Sequence, residues 1–208
     1  MAVLPFQNLG ADTSMDYLRV AVPDEITTTL SRVGSLTVRP FVSTPAYGEG
    51  SLDPLKAGEE VRAENVVTGQ YFREGEALHL TLEVIQVEGN SILWRDSLSV
   101  AASDLLSLRD QVSQRVREGL LPKLGVVALG DSEGTRPTNP EAYELYLQSL
   151  VISTDAAPNK QAIELLERAV ELDPEFAPAW ERLSLRYAFD GHYAGVGESA
   201  FRKACLLY

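Results

Sequence analysis

The 208-residue sequence contains one cysteine, two histidines and fewer basic than acidic residues, and these shortages limit the disulfides and the partners that the protein can have. The single Cys205 cannot form an internal disulfide, so cysteine content does not decide between an oxidising and a reducing compartment. Eighteen Lys and Arg residues against thirty Asp and Glu give a formal charge of −12. Because nucleic-acid binding relies on cationic side chains that displace counterions from phosphates, the sequence predicts no nucleic-acid partner.

Long apolar runs are also missing, and no segment approaches the roughly 20 apolar residues that span a bilayer. The first nine residues, MAVLPFQNL, lack the basic region of a signal peptide. We therefore expect no direct membrane insertion by this segment. Strand-like patterning begins directly after Met1, and the final AFRKACLLY stops within a pattern, so we expect a piece of a longer protein.

Strand and helix patterns alternate over the first half, which predicts a mixed sheet with flanking helices, an α/β domain. AVLPF is typical of a short buried strand, and the apolar residues from Leu18 to Val33 recur every three or four positions, as on one face of a helix. Pro23 removes one amide donor, so we expect a kink or a restart of that helix. LTVRPF (36–41) predicts a second strand, and SLDPLKAGEEV (51–61) predicts a short helix.

Three extended runs follow, at 65–73, 77–87 and 91–100, and short glycine-containing connectors between them indicate hairpins. In the middle run, leucine and valine alternate with polar residues, so one face of the sheet is expected to be core and the other wet. A helical stripe from Leu105 to Leu120 closes this domain, 1–124, with Ser103 as its predicted N-cap. Residues 125–138 lose periodicity and collect Gly, Ser, Asp and Pro, which predicts a linker.

A repeat is visible after the linker, because Pro140 and Pro174 lie 34 residues apart. The segment AIELLERAVELDPEFAPAWERLSLRY resembles the tetratricopeptide (TPR) repeat, and the resemblance covers 139–208, with the second repeat truncated. It implies all-α helical hairpins in which Trp180, Leu183 and Tyr187 fill the gap between neighbouring helices. Aligned by the prolines, Leu150 takes the small-residue position of Ser184. An ordinary helical hairpin with Asp-Pro at a turn is the alternative.

The first domain also carries a resemblance, in its Val-Leu-Pro-Phe strand, the long helix ending in Leu-Ser-Arg, the Val-Thr-Gly strand and the Leu-Trp strand. Over roughly 2–124 the sequence resembles the TolB-like amino-terminal domain of bacterial multidomain regulators, from which it departs at Pro23. In that family the domain commonly precedes TPR repeats and is attached to a serine/threonine kinase, an adenylate or guanylate cyclase, or a winged-helix DNA-binding domain. The resemblance implies a sensory or interaction role, on the periplasmic or the cytoplasmic side of a membrane-anchored regulator.

One motif is typical of a catalyst: GDSEG (130–134) matches the Gly-x-Ser-x-Gly pattern of a serine nucleophile, and His192 with Asp190 or Asp173 would be its partners. That nucleophile needs a strand running directly into a helix, whereas Ser132 is followed by EGTRPTNP. Neither lone histidine, His79 or His192, has metal ligands at a suitable spacing. The paired acids Asp24-Glu25 and Glu59-Glu60 are expected on solvated helix faces.

The sequence therefore predicts no catalytic, cofactor-binding or metal-binding residue and a module that is not an enzyme. TPR helix pairs leave a groove lined by the first helix of each pair, which here predicts a protein- or peptide-binding surface at Glu181, Leu185 and Phe189. An acidic groove favours basic or neutral partners. Two alternatives stay open: a small-ligand sensor that controls an attached kinase or cyclase, and a hydrolase that uses Ser132. The truncated last helix is also expected to leave an apolar edge that permits homodimers.

Overall fold

The computed structural model describes residues 1–39, 53–126 and 136–193; for residues 192 and 193 it describes only the backbone. The chain divides into two compact units, Met1–Leu129 and Gly130–Tyr208. Unit 1 is a mixed α/β structure, as the sequence predicts. Its elements are β1 (Ala2–Val3), β2 (Gln7–Asn8), a 3-10 turn (Thr13–Met15), α1 (Leu18–Ser31), α2 (Pro54–Glu60), β3 (Asn65–Glu74), β4 (Ala77–Gln86), β5 (Ser91–Ala101), α3 (Leu105–Arg115), a π-helical turn (Val116–Leu120) and α4 (Leu121–Lys123).

The sheet of unit 1 has the strand order β1-β3-β4-β5, and β2 also pairs with β3. β1 and β2 run parallel to β3, whereas β3, β4 and β5 form an antiparallel meander. Gly75 at the β3–β4 turn has a φ of +60°, which a residue with a side chain rarely adopts. The alternation predicted for the middle run is confirmed, because the odd-numbered side chains of β4 are partly exposed and the buried ones are Leu78, Leu80, Leu82 and Val84.

Pro23 lies inside α1, which continues through it without a restart. Proline has no amide hydrogen, so the carbonyl of Arg19, four residues earlier, loses its usual helical partner. The backbone N–H of Phe6 donates to that carbonyl at 2.9 Å. The proline is tolerated because the chain between β1 and β2 supplies the missing donor, and the predicted restart is wrong.

The predicted second strand at 36–41 is not a regular strand over its described residues, 36–39. Two backbone hydrogen bonds nevertheless join it to the start of the chain: the Met1 amino group donates to the Thr37 carbonyl, and the Arg39 N–H donates to the Met1 carbonyl, both at 2.9 Å. This exchange is the pattern of a single parallel-sheet step. The segment therefore lies beside β1 without a continuous ladder.

The N-cap of the helix after β5 lies one residue later than predicted. Asp104, not Ser103, is the N-cap, and its carboxylate accepts from the backbone N–H of Ser107 at 3.0 Å. The helix widens into the π-helical turn immediately before Pro122, where the Leu121 N–H donates to the Val116 carbonyl. A Cβ on Gly119 in this turn would lie 2.9 Å from the Trp94 indole nitrogen, so glycine lets that ring pack on the backbone.

The described residues of unit 2, 136–193, form three helices and no strand. They are α5 (Pro140–Leu150), α6 (Ala156–Leu172) and α7 (Ala177–Tyr193). Their apolar sides form the core of this unit, which includes Tyr143, Leu147, Leu166, Phe176 and Leu183. Within the described part of the chain, no helix has the length and apolar character needed to cross a bilayer.

Candidate protein-interaction surface

The three residues predicted as a binding surface all lie on α7. Glu181 and Leu185 are exposed, Leu185 with 46% of its surface, and Phe189 is half-buried. Because they recur every four residues, they share one face of the helix, which we name the α7 strip. The other side of α7 is buried through Ala179, Leu183 and Tyr187. The α7 strip therefore lies on the side of the helix away from these buried residues, and it includes an exposed leucine.

Arg186, one residue beyond Leu185, fixes α7 against the end of α5. Its guanidinium is buried and donates to the carbonyls of Ser149 at 2.8 Å, Ile152 at 2.7 Å and Ser153 at 3.0 Å. The last carbonyls of a helix have no partner within the helix, and a cation there is favourable to the helix dipole. Burial, with a smaller contribution from Arg182, lowers the pKa of Arg186. Five fixed donors make arginine suited to capping several carbonyls at once.

Asn159 of α6 completes this cluster. Its side-chain oxygen accepts from Arg186 Nη1 at 3.3 Å, and its amide nitrogen donates to the Arg186 carbonyl at 3.0 Å. Asn159 is almost fully buried, so an unmet amide there would be costly. The pair joins α6 to both the backbone and the side chain of α7, which fixes the helix that carries the α7 strip.

The beginning of α5 is held by Asp173, which follows the last residue of α6. Asp173 Oδ2 accepts from the N–H groups of Thr138 at 2.6 Å and Asn139 at 3.1 Å, and from the Thr138 hydroxyl at 3.1 Å. Asn139 in turn caps α5 by accepting from Glu141 N–H at 2.9 Å. The start of α5 thus lies next to the residues before α7, and its end lies at Arg186. α5 and α7 therefore run parallel, as neighbours.

The two parallel helices share one burial pattern when they are aligned 37 residues apart. In that alignment Ala142 matches Ala179, both fully buried, and Glu144 matches Glu181, both exposed. Leu147 then matches Ser184, so the proline alignment, which matched Leu150 with Ser184, is wrong. The reason is that Pro140 is the first residue of α5, whereas Pro174 precedes α7 by three residues.

Phe176 is the aromatic side chain that fills the space beside α5. Its ring lies edge-on to Tyr146 at 5.1 Å and to Tyr143 at 6.1 Å, and it is almost fully buried. Trp180, predicted for this role, is half-buried, and its indole N–H donates to the Pro174 carbonyl at 2.9 Å. Tyr187 is buried as predicted and donates to Glu167 of α6; burial, reinforced by this bond, raises the pKa of Tyr187.

Arg109 and Glu25 of unit 1 form a buried ionic contact that the sequence does not reveal. Arg109 of α3 lies 3.2 Å from the Glu25 carboxylate of α1, and the Ser113 hydroxyl donates to the same oxygen at 3.4 Å. Only 17% of the Glu25 side chain is exposed, so the expected solvated face is wrong at this position. Burial raises the pKa of Glu25, although Arg109 opposes the shift. The contact joins α1 to α3.

His79 lies on the open face of the sheet, where its ring stacks on Phe72 with 4.9 Å between centroids. Its Nε2 is 3.7 Å from the carboxylate of Glu74. Nearby on this face are the Thr81–Ser97 hydroxyl pair at 3.1 Å and the Arg95–Glu83 ion pair at 3.1 Å. Over residues 1–39, 53–126 and 136–193, no group of three or more His, Cys, Asp or Glu side chains could hold a metal ion.

The hydrolase alternative and the homodimer edge lie largely outside the described residues. Ser132, Cys205 and the last helix of the predicted second repeat are not described, and His192 is described only in its backbone within α7. Asp173, weighed as a partner of Ser132, instead binds the start of α5.

Comparison with known proteins shows a family for unit 1 and a relative across most of the chain. Residues 1–117 match the family described as HilA/YgeH-like transcriptional regulator, second domain. The protein described as "Putative adenylate cyclase 3" of Rhizobium meliloti (strain 1021) is 27% identical over 187 residues. That match covers 89% of this chain and 32% of the relative, so the chain spans about a third of the relative's length.

Solved structures show a more distant similarity to this chain. TolB from Acinetobacter baumannii is 21% identical with a TM-score of 0.42, over 58% of this chain and 28% of TolB. Lipoprotein GNA1162 from Neisseria meningitidis is 15% identical with a TM-score of 0.42, over 57% of this chain and 96% of the lipoprotein. Because the family match covers more than half of its residues, the chain belongs to the HilA/YgeH-like transcriptional regulator family, through that family's second domain.

Proposed function

We propose that this chain is a non-catalytic interaction module from the regulatory part of a larger bacterial signalling protein. Two similarities support a regulatory role: the family is that of a domain in transcriptional regulators, and the Rhizobium meliloti relative is described as an adenylate cyclase. The chain aligns with only about a third of that relative, so catalysis would belong to other parts of such a protein.

We further propose that α5, α6 and α7 are TPR helices, with α5 and α7 as the first helices of successive repeats. The parallel arrangement of α5 and α7 and their shared burial pattern support this assignment. In stacked helical repeats, equivalent faces of the first helices lie side by side and form a continuous binding surface. The repeated exposed face, with Glu144 and Glu181 at equivalent positions, is the observation that carries the proposal.

Among the described residues of unit 2, the contacts of the buried polar side chains Arg186, Asn159 and Asp173 fit a structural role. Arg186 binds the end of α5 and Asn159, and Asp173 binds the start of α5. The Leu185 side chain, by contrast, is exposed and has no role in the core. The exposed Leu185 therefore supports a role for the α7 strip in contact with another protein.

The experiment is site-specific photocrosslinking in the native bacterium, with a photoreactive amino acid at Leu185 and, as a control, at the exposed Glu164 of α6. We expect one protein to be crosslinked from Leu185 and not from Glu164. The purified partner should bind the 208-residue chain, and Leu185→Asp should weaken its affinity at least tenfold. Equal crosslinking from both positions, or an unchanged affinity, contradicts the proposal.

A second function is favoured by the similarity to the Rhizobium meliloti relative, which spans unit 1 as well as unit 2: sensing of a small ligand that controls an attached cyclase or kinase. A ligand that binds the folded state raises its stability. A thermal-shift screen of metabolites on the full chain tests this function, and a compound that shifts the melting of unit 1 at micromolar concentration supports it. No shift from any cyclic or linear nucleotide or amino acid would count against it.

A further inference from the structure

The exposed faces of α5 and α7 carry acidic side chains without exposed basic ones beside them. α5 contains no Lys or Arg, and its exposed positions include Glu141 and Glu144. On α7, Arg186 is buried against carbonyl groups, and Arg182 is half-buried and engaged with another group of the chain. The surface that α5 and α7 share is therefore negative.

In the 37-residue alignment, one carboxylate of α5 and one carboxylate of α7 fall at the same position, so they form a row across the two helices. Glu144 of α5 and Glu181 of α7 are equivalent, and both are exposed. In the next turn Gln148 is equivalent to Leu185, and Gln148 donates to Glu144 at 3.2 Å. The Arg186 side chain reaches from α7 to the Ser149 carbonyl of α5, so the two helices lie within one side chain's length and one bound segment can reach both carboxylates. The row combines two negative charges with one exposed leucine.

We propose that this face binds a basic amphipathic segment of another protein, with Lys or Arg side chains against Glu144 and Glu181 and an apolar side chain on Leu185. The inference rests on the proposed function and specifies its partner. On a helical segment, two basic residues seven positions apart are separated by roughly 10 Å, which suits the spacing of α5 and α7. Opposite charges favour the encounter and fix the register, while the apolar contact adds affinity.

The test uses three fluorescein-labelled 18-residue peptides and anisotropy titrations of the full chain at 150 mM salt. The first peptide repeats Lys and Leu with a seven-residue period, the second replaces each Lys by Glu, and the third has the first composition in scrambled order. The variants are Glu144→Lys/Glu181→Lys, Leu185→Ser and the matched control Glu164→Lys/Glu171→Lys, whose two exposed acids lie on α6. The control changes the net charge by the same amount.

We expect only the patterned Lys/Leu peptide to bind with micromolar affinity, and the Glu144→Lys/Glu181→Lys pair to weaken it at least tenfold. Leu185→Ser should weaken it several-fold, and the α6 control should change it less than twofold. Equal losses in both charge-reversed pairs, equal binding of the Glu peptide or the scrambled peptide, or no binding at millimolar concentration each overturn the inference. If the protein crosslinked from Leu185 contacts it through an acidic or uncharged segment, the interaction module stands and the basic partner is wrong.

Discussion

Arg186 and Asn159 bind each other in both directions: the arginine side chain donates to the asparagine side chain, and the asparagine amide donates to the arginine carbonyl. Neither contact would form unless α6 and α7 had this register, because the residues are 27 positions apart. Since the same guanidinium caps the end of α5, one side chain connects all three helices. The α7 strip depends on this connection for its position.

Replacing Arg186 should therefore lower the stability of unit 2 more than replacing an exposed charged residue. Arg186→Met removes the donors to three carbonyls and to Asn159. A buried group left without a partner costs about 1–3 kcal/mol, and this cost is smaller where water can reach the group. We expect a loss of about 3 kcal/mol in the free energy of unfolding. Urea titration followed by Trp180 fluorescence, in a Trp94→Phe background, measures it. Arg168→Met, at an exposed i,i+3 ion pair, is the control and should stay within about 0.5 kcal/mol.

Gly69 of β3 is required by the ring of Phe6. A Cβ at this position would lie 2.5 Å from the ring, in a tightly packed core. Gly69→Ala should lower the stability of unit 1 by about 1–3 kcal/mol, because overpacking forces the ring or the strand to move. Gly34→Ala is the control, since nothing lies within 4 Å of the added methyl group. The result to look for is a lower urea midpoint for the first variant alone; equal midpoints would show that the ring moves freely.

The strands β3, β4 and β5 could be predicted to within one or two residues because their signals are local. Alternation of apolar and polar side chains sets the faces, and Gly75 and Gly89 mark the turns between them. The tolerance of Pro23 could not be predicted, since it depends on a donor, Phe6, that comes from another element. The sequence does not distinguish Asp104 from Ser103 as the cap, because both are good capping residues by type.

The candidate surface was predicted only in part, for a related reason. Helical periodicity places Glu181, Leu185 and Phe189 on one face, whereas their equivalents on α5 depend on where each helix begins. The conspicuous prolines indicate a 34-residue shift, but they occupy different positions relative to their helices. The contacts of Arg186, Asn159 and Asp173 join residues about a repeat apart and leave no local pattern.

The exposed Leu185 should be replaceable without loss of stability, which any docking role requires. Leu185→Asp removes an apolar side chain that is 46% exposed, and such changes usually alter the free energy of unfolding by about 0.5 kcal/mol or less. Leu183→Ala, two residues away on the buried side, should cost about 2–5 kcal/mol. Thermal and urea unfolding of the two variants measure the contrast. If Leu185→Asp unfolds unit 2, the residue belongs to the core and does not serve as a docking residue.

Alkaline pH should destabilise unit 1 through Tyr71. This tyrosine is buried and donates to the Met15 carbonyl at 3.1 Å, and burial raises its pKa above the ordinary value. In the unfolded chain the phenol loses its proton near pH 10, whereas the folded state retains it, so the unfolded state binds fewer protons at higher pH. Stability from this group is complete below about pH 10 and falls above it, by at most about 1.4 kcal/mol per pH unit.

Tyr71→Phe separates this effect from general alkaline unfolding. The variant should lose about 1 kcal/mol at pH 7, because the Met15 carbonyl loses its donor, yet its stability should fall less steeply between pH 10 and 11. Urea unfolding of unit 1, followed by Trp94 fluorescence in a Trp180→Phe background, gives both quantities. Tyr187→Phe is the matched control, since Tyr187 belongs to unit 2 and should leave the slope of unit 1 unchanged. Parallel slopes for Tyr71→Phe and the parent chain would show that Tyr71 ionises equally well in both states.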